Sequence, residues 1–170
     1  MKNFLATASL LASLSTGVAL AENTTSSAAA SPATVLREYL TDLQTGRFPE
    51  LMALLADDVI WHQPGHSKLS GTYEGKEAVG KLFAQFMDIS AGSFKITGVD
   101  YVSENGSLAT ASLRFSAKRC QYFEVAMDMK GIDLMRVEEG LIKEVFLFSE
   151  NQEAEDRFWG VATWSDSIPM

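Results

Sequence analysis

The sequence predicts an α+β fold in which a strongly bent antiparallel sheet wraps round three N-terminal helices and a short fourth helix closes the chain. Three observations predict it. Apolar residues recur at helical spacing up to about Met87, the period then changes to that of strands, and turn dipeptides separate the strand-like runs. Helices cannot fill the whole bend of such a sheet, so an apolar hollow between the two layers is expected.

Val35, Leu36, Tyr39, Leu40 and Leu43 mark the first helix, which Gly46 closes. Pro49 opens the second, at a position where a missing N–H costs nothing. Leu51, Met52, Leu54 and Leu55 form its buried side, and Asp57-Asp58 end it. Val59 to Gln63 is a short strand stopped by Pro64-Gly65, and a loop runs through Ser70-Gly71. The third helix follows Gly75, with Val79, Leu82, Phe83, Phe86 and Met87 on one stripe. Strands are then expected over Phe94–Val102, Leu108–Lys118, Tyr122–Met129, Ile132–Val137 and Leu141–Ser149. Asn105-Gly106 and Glu139-Gly140 make hairpins, and Lys130-Gly131 marks a bulge bending one long strand. Asn151 caps the last helix, whose Glu153, Glu155 and Asp156 suit the positive end of its dipole and whose Phe158 and Trp159 dock it.

Residues 1–21 read as an export signal. Lys2 supplies the positive end, Phe4–Leu20 the apolar core, and Ala19-Leu20-Ala21 the small-x-small site after which a signal peptidase cuts. A periplasmic or secreted product of a bacterial secretory pathway is expected. Ser/Ala/Thr-rich 22–33 is a disordered leader, 34–160 one domain, and 161–170 a tail. The formal net charge of −8, without Lys/Arg clusters, argues against nucleic acid and anionic membranes as partners. The apolar run is too short and Ser/Thr-rich for stable membrane insertion. Cys120 is the single cysteine, so no intramolecular disulfide forms, and burial is its expected state. His62 and His66 stand four apart, but Pro64-Gly65 breaks the helix that a metal face would need. No metal and no cofactor is expected.

Asp133 is out of place in the apolar run Ile132-Asp133-Leu134-Met135. Alternation sets it with Met135 and Val137 on one face and Arg136 on the other. Arg136 prefers water, so Asp133 is expected inside, where desolvation raises its pKa and a protonated carboxyl donates a hydrogen bond. The alternative is an exposed Asp133 on an edge strand. Tyr39 lies on a buried stripe in either case.

Tyr39–Asp58, Val59–Val79, Ile132–Asn151 and Asn151–Trp159 together resemble the NTF2-like superfamily, in particular its SnoaL-like and ketosteroid isomerase branches. The resemblance implies a cone-shaped fold, and the family often forms homodimers through its sheets. It sets Tyr39 and Asp133 on the isomerases' two oxyanion donors, a pairing for which those enzymes are the known example. It also sets Phe148 on an aromatic position lining the ligand, and Phe83 where a supporting tyrosine is common. Gln63 stands where the isomerases carry their proton-shuttling aspartate, and an amide is no base near neutral pH. Glu74, Glu124, Asp128 and His62 are substitutes among which nothing in the spacing selects. Trp61, Gln63, Phe83, Phe86, Met135 and Phe148 are the expected substrate-binding residues beside Tyr39 and Asp133. Three functions stay open: an exported binder of a small apolar ligand; an isomerase, cyclase or hydrolase on a steroid- or polyketide-like substrate; and a non-catalytic dimeric interaction protein.

Overall fold

A computed structural model describes residues 29–121 and 123–160, without the side chains of 120–124. The export signal, most of the leader, the tail and the burial of Cys120 lie outside the described residues.

The order is α1 (Pro32–Thr45), α2 (Phe48–Ala53), β1 (Leu55–Gln63), β2 (Gly71–Glu74), α3 (Lys76–Ile89), β3 (Lys95–Asn105), β4 (Leu108–Gln121), β5 (Phe123–Glu138), β6 (Leu141–Ser149) and α4 (Gln152–Trp159). The strands form one curved, unclosed sheet in the order β2-β1-β6-β5-β4-β3. The expected α+β architecture is therefore present. Every pair is antiparallel except β1 with β6. That parallel pair exists because β1, laid down before α3, is joined at the end by the last strand.

α1 begins at Pro32, two residues inside the stretch assigned to the leader. Ser31 caps it, accepting from the Thr34 N–H, and Gly46 ends it at φ 70°. α2 is shorter than expected and stops at Ala53 rather than at Asp57-Asp58. Strand pairing takes over there: the Ile142 N–H donates to Leu54 O at 2.8 Å, and Leu55 pairs with Ile142. Asp57 and Asp58 fall in the register break between Leu55 and Ile60, exposed, where Asp58 meets Lys143 at 3.1 Å. β2, expected as loop, is a four-residue edge strand without apolar alternation to announce it.

The bulge expected at Lys130-Gly131 is absent. β5 is one strand, and its ladder with β4 runs unbroken from Gln121–Phe123 to Leu108–Arg136. Gly131 has another reason to lack a side chain: a Cβ there would sit 3.0 Å from Phe148 O and 3.1 Å from Phe115 Cε1. The irregularities that accompany the bend lie in β3, at Ile96/Gly98 and Val99/Tyr101, and between β5 and β6 at Arg136/Val137. The β5–β6 hairpin turns on Glu139 (φ 53°) and Gly140 (φ 79°), both left-handed as a type I′ turn needs.

The core lies between the concave sheet face and the helices, with Leu36, Leu51, Leu55, Val59, Leu82, Met135 and Ile142 fully buried. Asn151 Oδ1 accepts from the Ala154 N–H at 3.1 Å, starting α4, whose Phe158 and Trp159 are buried. Among the described residues no helix is long and apolar enough to cross a membrane.

Candidate functional site

A cavity opens between the concave sheet face and α1, α3 and α4. It is a hollow of about 690 Å³, its open mouth included. Its wall is aromatic. Trp61 meets Phe83 edge-on at 5.1 Å, Phe86 lies 4.8 Å from Trp159, and Tyr39 is 6.5 Å from Trp61. These side chains converge because α1 packs across β3, β4 and β5, α3 packs on β1, and α4 comes in over β5 and β6.

Asp133 enters from β5. Its register partners are Ala111 and Leu147, so a small alanine on one side leaves it room. It is 9% exposed, which settles the alternative of an outward edge position in favour of the inward one. Burial, and then the nearby Glu155, push its carboxyl up from the usual range to about 7. Burial and the charge of Asp133 hold the Tyr39 phenol well above its ordinary value. No described side chain hydrogen-bonds to Tyr39 Oη or to the Asp133 carboxyl, yet no fully buried polar side-chain atom among the described residues is left unsatisfied. Both groups therefore open on the cavity, where a ligand or water reaches them.

Tyr39, Trp61, Gln63, Phe83, Phe86 and Asp133 all line this cavity, and Phe148 borders it. Gln63 is buried, its Oε1 accepting from Trp61 Nε1 at 3.2 Å, so its amide orients the indole. Phe148 is 55% exposed and pairs with Ile132 on the convex face, which makes it rim rather than wall. Met135 does not line the cavity. It shares the face of Asp133 but is wholly buried in the core.

Of the substitute bases that the sequence offered, the three with described side chains are not in the cavity. Glu74 and Asp128 are exposed, and Glu124 lies outside the described side chains. His62 stands on the convex face, stacked 4.3 Å from Phe146 with Nε2 2.9 Å from Glu144 Oε1. The second carboxyl of the cavity is Glu155, which the sequence reading assigned to the helix dipole. It is 6% exposed, lines the cavity, and accepts from Trp159 Nε1 at 3.1 Å. Burial raises its pKa against the lowering effect of hydrogen bonds from Trp159 and Ser149. A signal was present: Glu155 stands one helical turn before Trp159, on the side of α4 that the docking aromatics define.

Residues 36–145 match the family pattern described as a SnoaL-like domain. A Xanthomonas campestris protein of unknown function with a cystatin-like fold is 37% identical in its crystal structure, over 77% of this chain and 99% of that one, with a TM-score of 0.73. Bal32a, from a soil-derived mobile gene cassette, is 22% identical over 75% of this chain and 95% of its own, with a TM-score of 0.69. A candidate polyketide cyclase from Pseudomonas putida is 19% identical over 78% and 99%, with a TM-score of 0.58. The likeness to these last two concerns the fold alone. No curated protein matches the chain. The chain belongs to the SnoaL-like domain family and has its NTF2-like fold.

Proposed function

We propose that this protein is an exported binder of a small apolar molecule bearing a carbonyl or hydroxyl group, which Tyr39 and Asp133 hold by hydrogen bonds. One observation carries the reading: two buried polar groups line an aromatic cavity with no hydrogen-bond partner among the described side chains. A neutral Asp133 and the Tyr39 hydroxyl both donate, so a ligand oxygen would receive two hydrogen bonds in a site poor in competing water. Export rests on Lys2, the apolar run after it and the Ala19-Leu20-Ala21 site. A neighbour named as a candidate polyketide cyclase agrees with a cyclic ligand.

The test starts from the chain recovered from a periplasmic extract, its N-terminus sequenced, with Glu22 expected first. Titration with 2-naphthol, followed by its fluorescence, should give saturable binding. Tyr39→Phe and Asp133→Leu should each weaken it roughly tenfold, the worth of one buried hydrogen bond. Equal affinity in all three proteins would refute the donor pair.

An enzymatic reading, as isomerase, cyclase or hydrolase, is favoured by one feature, the second carboxyl of Glu155. An interaction role is favoured by the convex sheet face, where Tyr101, Ile132 and Phe148 are exposed. We place a second copy of this chain there.

A further inference from the structure

We propose that Glu155 is the base of this cavity, taking a proton from a carbon next to a carbonyl whose oxygen rests on Tyr39 and Asp133. The inference rests on the ligand reading above and adds a reaction to it. Gln63 belongs to β1, is an amide and is committed to Trp61 at 3.2 Å, whereas Glu155 brings a carboxyl into the same cavity from α4.

The two carboxyls have opposite surroundings. Glu155 accepts from the Trp159 indole at 3.1 Å and interacts with Ser149, donors that favour its anion. Asp133 has no such donor among the described side chains and is desolvated. When two acids share a pocket, the unsupported one keeps its proton and the supported one ionises, which separates the roles of donor and base. The groups facing Glu155 are Asp133, Asp156, Ser149 and Trp159; none is a cation that would quench its basicity.

The step balances without an oxidant or reductant. The C–H bond breaks, its electron pair forms the C=C of an enol or enolate, and the carbonyl oxygen gains negative charge against the two donors. The proton moves to Glu155, which exchanges it with solvent, and the carbon or its conjugated neighbour is then reprotonated from Glu155, in D₂O by a deuteron.

The experiment uses 2-tetralone in D₂O, whose benzylic hydrogens next to the carbonyl exchange measurably by NMR, alongside 2-naphthol binding as a separate readout. The wild-type chain should accelerate exchange above buffer. Glu155→Gln should lose about 10² to 10⁴ of that rate while naphthol affinity stays within a few-fold. Glu155→Asp, one methylene shorter, should keep part of it and serves if the amide variant does not fold. Trp159→Phe removes the donor that supports the anion, and should move the pH profile of exchange upward, which mere loss of packing would not do. Naphthol binding without catalysed exchange, or exchange unchanged in both Glu155 variants, overturns the base and leaves the binding reading intact. Absence of naphthol binding in the wild type removes the binding reading, and the base with it.

Discussion

Asp133 makes folding depend on pH in a direction opposite to that of an ordinary surface carboxylate. Its folded-state pKa is raised to about 7 by burial and by Glu155, against 3.8 when the chain is open. Between those values the folded chain holds a proton that the unfolded chain has released. Stability therefore falls as pH rises through this window and levels off above it, by about 1.4 kcal/mol per pH unit. Glu155, also raised, adds to the slope. Asp58, Glu104 and Glu144 are lowered by their partners and act the other way, losing stability as acid protonates them. The difference between proteins isolates Asp133: urea unfolding at pH 4.5 and 7.5 should show Asp133→Asn flattening the decline and gaining most at the higher pH. An identical pH dependence in the variant would mean the carboxyl is not held neutral. Asp133 was legible from the sequence because a charged residue interrupts an apolar strand beside an outward Arg136. Glu155 was not, because an acidic first turn is ordinary helix chemistry and its burial depends on where α4 lands.

At the scale of elements, α4 is fixed against the β1–β2 loop by hydrogen bonds rather than by apolar contact alone. Asp156 Oδ2 accepts from the His66 N–H at 2.9 Å, and the Lys68 N–H donates to Gly160 O at 2.8 Å; within α4, Gln152 Nε2 holds the other Asp156 oxygen at 3.0 Å. Gly65 makes this approach possible. Its φ is +88°, and a Cβ there would run into Asp156 Oδ1 and Gln152 Nε2. Gly65→Ala therefore combines a left-handed backbone cost with a collision, and should destabilise by about 2 kcal/mol or more, read from urea midpoints. A shift below about 0.5 kcal/mol would mean α4 moves away without penalty. The sequence showed the caps of this helix, Asn151 and its docking aromatics, because those signals are local. The same locality explains the misread end of α2, which stops early because Leu54 and Leu55 meet Ile142 of β6, far away in sequence, whereas β2 exists through its pairing with nearby β1 and carries no apolar alternation of its own.

Across the whole molecule, the period change from helix to strand was sufficient to read the layer order, and the bend followed from the need to cover the helices. What alternation could not reveal is what the outer face of the sheet meets. Register places Tyr101, Ser112, Ile132 and Phe148 in one row across four strands. The next row holds Thr110, Leu134, Phe146 and His62. Tyr101 is 53%, Ile132 42% and Phe148 55% exposed, a clustered apolar exposure of the kind that marks an interaction surface. Arg136 and Glu144, paired at 3.3 Å, border it with opposite charges, so two copies related by a two-fold axis can set each cation against the other's anion. A dimer through this face would cover Phe148 at the cavity rim and so tie ligand entry to assembly. Sedimentation of the chain should show a dimer at micromolar concentration. Phe148→Lys or Ile132→Lys, each bringing like charges together across the axis, should shift it to monomer while far-UV circular dichroism stays unchanged. A monomeric wild type, or a dimer indifferent to both substitutions, would place the contact elsewhere. Naphthol affinity measured above and below the dissociation constant of the dimer then shows whether the rim belongs to one chain or to two.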